Sequence, residues 1–116
     1  MDLHVTARGT RLTDQARRLA EHKLARLSRM EPRATRIEVE VLAEHNPRLN
    51  GTVRIEAALD VPRKTFRARG DGPTIDVALD VVAERLERQI RDHHGKRRKR
   101  KVASPNRLKS AGVGPG

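Results

Sequence analysis

The residues of this chain best equipped for chemistry are cations at helical spacing. Wound at 100° per residue, Arg18, His22, Arg26 and Arg29 fall within an arc of about 80°. Arg85, Arg88 and Arg91 recur at every third position and form a second basic edge. The run Lys96-Arg97-Arg98-Lys99-Arg100-Lys101 follows directly. Rows of guanidinium and ammonium groups bind phosphates, so the chemistry on offer is recognition of a polyanion. The charge budget agrees. Residues 95–116 hold eight of the 26 Lys and Arg and none of the 15 Asp and Glu. The net charge of +11 therefore divides into +8 for that segment and +3 for residues 1–94.

Reaction chemistry has little to work with. The chain lacks G-x-x-x-x-G-K-[ST], G-x-G-x-x-G and H-E-x-x-H. With no cysteine, neither a disulfide nor a Cys-based zinc site can form. His93 and His94 diverge by about 100° on a helix and have no third ligand nearby, so they read as solvated helix-end residues. Asp76 and Asp80 share a face, but acids near a helix N-terminus usually serve the dipole. Ser104 is an isolated hydroxyl. No catalytic residue, metal, cofactor or small-molecule substrate is expected.

The elements that must position the cations follow from periodicity. Leu3, Val5 and Ala7 alternate with polar residues, as in a half-buried strand, and Gly9-Thr10 ends it. Thr13 suits an N-cap. Ala16, Leu19, Ala20, Leu24 and Leu27 then recur at helical spacing to about Met30, before Pro32. Arg36 to Glu44 alternates again, with Ile37, Val39 and Val41 on one side. Asn46-Pro47 and Asn50-Gly51 are turn chemistry. Val53, Ile55, Ala57 and Leu59 mark a third strand. Pro62-Arg63-Lys64 reads as a turn, and Thr65 to Arg69 as a short strand with Phe66 and Ala68 inward. Gly70-Asp71-Gly72-Pro73 reads as a loop. Thr74 caps a second helix with an apolar stripe of Ile75, Ala78, Leu79, Val82, Leu86 and Ile90, expected to stop at His93 or His94 before Gly95. The predicted fold is α+β, in the order β-α-β-β-β-α, with two helices on one face of a four-stranded sheet. The first two strands are far enough apart for a parallel crossover. Residues 1–95 form the expected domain, and residues 96–116 a basic tail, disordered when free.

Two readings of the helix charges stay open. Basic edges facing each other across adjacent helices would make a positive groove, which the tail would extend, with Asp76, Asp80, Glu84 and Glu87 lying mostly on the other side. Alternatively these are solvated helix faces, with ordinary i,i+4 pairs such as Glu84 with Arg88 and Glu87 with Arg91, and an unspecific basic tail. As to the polyanion, Phe66 is the only aromatic residue and sits in an apolar register. The outer sheet face would show Glu38, Glu40 and Glu56 beside Arg36 and Arg54. Base stacking on a sheet is therefore excluded, and helix-mediated contact with phosphates and the shape of folded RNA or duplex remains.

The pattern Thr13-x-x-Ala16-x-x-Leu19-x-x-x-Lys23-Leu24-x-x-Leu27, three strands, and then Asp80-x-x-x-Glu84-Arg85-Leu86-Glu87-Arg88-Gln89-Ile90-Arg91 resembles the ribosome hibernation-promoting factor family, also called the ribosome-associated inhibitor or protein Y family. The similarity spans about residues 1–95, and the second-helix motif is its more specific half. The resemblance implies a fold similar to double-stranded-RNA-binding domains. It implies binding to the small ribosomal subunit and its rRNA, in the mRNA and tRNA channel near the A and P sites, so that ribosomes are kept inactive under stress or in stationary phase. By motif position it points to Lys23, Arg26, Arg85, Arg88 and Arg91 as RNA contacts. Lys23 borders the apolar stripe, so its stem is expected to pack with its amine free. The chain departs from the family at Leu19 and Asp76, where members often carry an aromatic ring. It departs again at Arg67-Ala68-Arg69-Gly70, which is more basic than the family's usual acidic pattern. Longer relatives add a linker and a dimerisation domain, so this sequence is expected to be a short form or an N-terminal domain.

The expected protein is cytoplasmic and monomeric when free, with no leader at Met1-Asp2-Leu3-His4-Val5 and no apolar run of about 18 residues for a membrane. A general RNA- or DNA-binding protein acting through the same cations is the alternative. A protein-interaction module using the Glu-bearing sheet face is a third reading.

Overall fold

The computed structural model describes the backbone of residues 1–43 and 52–103, and the side chains of residues 1–42 and 52–96. The turns expected at Asn46-Pro47 and Asn50-Gly51, and residues 104–116, lie outside the described residues. The elements run β1 (Asp2–Arg8), α1 (Asp14–Met30), β2 (Arg36–Ala43), β3 (Val53–Val61), β4 (Lys64–Gly72) and α2 (Ile75–Ala103). This is the predicted α+β order. The sheet order is β1-β2-β3-β4, with β1 parallel to β2 and the other pairs antiparallel.

Local chemistry sets the helix starts where expected. The Thr13 hydroxyl accepts from the Ala16 N–H at 3.1 Å, and the Thr74 hydroxyl from the Val77 N–H at 3.2 Å. At the far end of α1, Glu31 is the C-cap and its N–H returns to the Leu27 carbonyl at 2.8 Å. Ile37, Val39, Val41, Ile55, Ala57, Leu59 and Phe66 line the inward face of the sheet. Both helices lay their stripes onto it, α1 with Ala20, Leu24 and Leu27, and α2 with Ala78, Leu79, Val82, Leu86 and Ile90. The core is thus one aliphatic layer under two helices.

The structure differs from the sequence reading in two places along the chain. Gly70 and Gly72 are strand residues of β4, not loop residues. A Cβ at Gly70 would stand 2.8 Å from the Ala78 carbonyl oxygen, and one at Gly72 would stand 2.8 Å from Val77 Cγ1. Glycine is needed there because α2 comes down onto the strand, not because the chain turns. Secondly, α2 does not stop at His93 or His94. It passes through Gly95 to Ala103, so residues 96–103 are helical. A mid-helix glycine costs only about 1 kcal/mol, and the Lys and Arg residues that follow are good helix formers.

Candidate nucleic-acid interface

The buried stripe of α1 (Ala16, Ala20, Leu24, Leu27) fixes what the rest of the helix presents. Opposite that stripe lie Arg18, His22 and Arg29, all exposed. None of the three forms an ion pair with a described residue.

The flank of α1 next to α2 is a different environment. Lys23 Nζ lies 2.7 Å from Asp76 Oδ1 and 2.8 Å from Asp80 Oδ1. Arg26 Nε is 3.4 Å from Glu87 Oε2, and Arg91 Nη1 is 3.9 Å from Glu87 Oε1. The expected seam of two basic edges is therefore corrected. Basic groups of α1 meet acidic groups of α2, and Asp76, Asp80 and Glu87, three of the four acids expected on the far side of α2, lie at the contact. The reason is electrostatic: cations facing each other across adjacent helices would repel, whereas each cation set beside a carboxylate is attracted to it. The Lys23 amine is not free. Hydrogen bonds to Asp76 and then Asp80 raise its pKa above the ordinary 10.5.

Arg85, Arg88 and Arg91 do not share one edge. They span about 120° of arc and go three ways. Arg91 turns to Glu87. Arg88 stands exposed, without an ion pair to a described residue. Arg85 turns away from α1 and donates from Nη1 to the carbonyl oxygen of Arg69 on β4. Gln89 Nε2 does the same to the Arg67 carbonyl at 2.7 Å. These two side chains cover free carbonyls on the edge strand β4, the position where a sheet is open to unwanted pairing.

The histidines are not merely solvated. His94 Nε2 lies 2.9 Å from Oε2 of Glu31, which is 2% exposed. The His93 ring meets Phe66 edge-on with centroids 5.5 Å apart. Beyond them Lys96 is exposed. The side chains of Arg97, Arg98, Lys99, Arg100 and Lys101 lie outside the described residues, although their backbone continues α2. Among the described residues no group of three or more His, Cys, Asp or Glu is arranged for a metal ion, and no helix is long and apolar enough to cross a membrane.

Sequence reasoning missed two features. Arg67 and Arg69 stand on the open face of the sheet, where Arg85 reaches the same concavity. The alternation about Phe66 and Ala68 did carry that signal. The Glu31–His94 pair bridges 63 positions, and no local pattern announces it.

Set beside known proteins, residues 3–98 match the family model described as Sigma 54 modulation protein / S30EA ribosomal protein. The fold is similar to that of a ribosomal subunit interface protein from Coxiella burnetii, with TM-score 0.72 and 20% identity, over 82% of this chain and 99% of that chain. It is also similar to the N-terminal domain of protein Y from Thermus thermophilus, with TM-score 0.65 and 26% identity, over 80% of this chain and 99% of that chain. No curated protein sequence matches.

Proposed function

This chain belongs to the Sigma 54 modulation protein / S30EA ribosomal protein family, and on that footing we propose that it is a non-enzymatic ribosome-silencing factor. It binds the small ribosomal subunit through rRNA, in the mRNA and tRNA channel near the A and P sites. There it blocks translation and preserves inactive ribosomes under stress or in stationary phase, in the cytoplasm. The motifs on the two helices support the hibernation-factor reading, and so does the family match.

The observation that carries the proposal is the outward helical layer. Arg18, His22 and Arg29 on α1 and Arg88 on α2 are exposed and free of ion pairs with described residues, and Lys96 is exposed where α2 continues into the basic run. Such groups contact phosphates and read the shape of folded RNA. Lys23 is a positioning residue: through Asp76 and Asp80 it ties α1 to α2. Arg26 and Arg91 keep more than half of their side-chain surface exposed, so they reach a phosphate while touching Glu87. Phe66 is 2% exposed and offers bases no stacking platform. Recognition then rests on backbone and shape, and affinity falls steeply with salt.

The test is sucrose-gradient co-sedimentation with purified ribosomes across a salt series. Travel with small subunits or whole ribosomes at low salt, resistant to excess duplex DNA, is expected. Failure to co-sediment at low salt defeats the proposal. Displacement by an equal mass of duplex DNA favours the alternative, a general RNA- or DNA-binding protein.

A further inference from the structure

We propose a second phosphate-binding face on the opposite layer of the molecule, built from Arg67, Arg69 and Arg85 at the β4 rim of the open sheet, whose occupant is an RNA backbone. The choice of RNA rests on the ribosomal reading above.

Most arginines of the open face are already paired. Arg8 meets Glu40 at 3.1 Å, Arg36 meets Glu38, and Arg54 meets Asp71 at 2.8 Å. Arg67 and Arg69 break that rule. Both are exposed, and neither forms an ion pair with a described residue. Glu56 stands directly opposite Arg69 in the β3–β4 register, yet no salt bridge joins them.

Arg85 belongs to this cluster and not to the helix seam. It comes from α2, on the other layer, and its Nη1 is held by the Arg69 carbonyl. A guanidinium has five N–H donors, so four remain for a ligand. Arg67, Arg69 and Arg85 line one open concavity of about 780 Å³. Glu38, Glu40 and Glu56 share that concavity, but none forms a salt bridge to these three groups, so their mutual repulsion is only partly offset and an incoming anion relieves it. The rigid guanidinium fork matches phosphate oxygens in a bidentate manner.

The shape of the charge favours a linear polyanion. Arg67 and Arg69 are two residues apart on one strand, which sets their Cα atoms about 6.7 Å apart along the rim. Inward across the sheet come Ala58 and then Glu38 in one row, and Glu56 and Glu40 in the next. Those carboxylates repel a polyanion that strays toward β2 and confine it to the β4 side. The helical layer and this rim are on opposite sides of the core, so the protein bridges two RNA segments instead of lying on one.

The experiment compares wild type, Arg67→Gln/Arg69→Gln, Arg67→Lys/Arg69→Lys and the helix-layer variant Arg18→Gln/Arg29→Gln/Arg88→Gln. Each is titrated with purified ribosomes and with a short RNA duplex over a salt series, and hydroxyl-radical footprints are taken on the ribosome. Both β4 side chains are exposed, and circular dichroism melts verify that the fold is kept. The double Gln variant is expected to lose about two phosphate contacts, flattening the slope of log K against log salt by about 1.5 and weakening binding at least tenfold at low salt. The double Lys variant should retain most of the slope. On the ribosome the double Gln variant should lose one protected patch, and the helix-layer variant a different one.

An unchanged slope and footprint for the double Gln variant would overturn the second face. So would an unchanged RNA footprint accompanied by lost cross-links to ribosomal proteins, because the partner would then be a protein. Wild type that ignores ribosomes but binds the duplex, with the slope still reduced in the double Gln variant, would defeat the ribosomal reading and leave this face standing.

Discussion

His94 and Glu31 close the fold at its far end: the imidazole Nε2 of α2 lies 2.9 Å from the Oε2 of the residue that caps α1. The Arg33 N–H also reaches this carboxylate, donating to Oε1 at 3.2 Å. Burial pushes the Glu31 carboxyl up. The His94 hydrogen bond, the Arg33 N–H and the two neighbouring positive groups outweigh burial and hold it below its ordinary 4.5.

A folded value below the unfolded one means that Glu31 contributes stability above about pH 4.5, lost as pH falls through the folded value. Glu31→Gln should therefore flatten the acid limb of the melting temperature as pH falls below about 4.5. His94→Ala should cost about 1–2 kcal/mol at neutral pH, because it strips a buried carboxylate of a partner. Thermal melts of the three proteins across pH check both statements. An E31Q curve parallel to wild type would contradict the first.

Lys23→Met separates positioning from phosphate contact. The Lys23 pKa is raised in the fold, so its contribution is complete below the ordinary 10.5 and is lost as pH rises through the raised value. The variant should melt below wild type at neutral pH, and the gap should close above that range. Its ribosome affinity should show the wild-type salt slope, because Asp76 and Asp80 already neutralise the amine. Arg18→Gln/Arg29→Gln should instead flatten the slope by about 1.5. A lower slope for Lys23→Met would make Lys23 an RNA contact.

Gly95→Ala tests the continuity of α2. A Cβ there meets nothing within 4 Å, and the residue is not in the left-handed region. Alanine should stabilise by about 0.5–1 kcal/mol and deepen the 222 nm ellipticity. Destabilisation would mean that the helix ends in a left-handed glycine after all.

Gly70→Ala should do the reverse. Its Cβ would collide with the Ala78 carbonyl and the Val81 side chain, so α2 must lift off β4. We expect a loss of about 1–3 kcal/mol in urea unfolding. A loss under half a kcal/mol would show that the helix moves freely on the sheet.

Leu86 is 0% exposed at the centre of the α2 stripe. Leu86→Ala should destabilise by about 2–5 kcal/mol, read from the same urea curves. It should not alter the salt slope of the protein that remains folded.

Much of this fold was legible from local chemistry. Strand alternation at Leu3–Ala7, Ile37–Val41 and Val53–Leu59, the caps Thr13 and Thr74, and the stripes from Ala16 to Leu27 and from Ala78 to Ile90 all reflect forces that act between near neighbours in the chain. The shared arc of Arg18, His22 and Arg29 was legible as well, although it was read as an edge flanking the stripe and the structure sets it opposite the stripe.

Tertiary packing decided the rest. A helical wheel gives each side chain an angle about its own axis, but not which flank meets the neighbouring helix. That depends on how the two stripes settle into one core, and it brought Lys23 to Asp76 and Asp80 instead of leaving its amine in water. The same settling turned Arg85 around the edge of β4, made Gly70 and Gly72 points of close approach, and joined Glu31 to a histidine 63 positions away. Periodicity encodes what a residue does for its own element, whereas partners distant in the chain are chosen by the way buried surfaces fit.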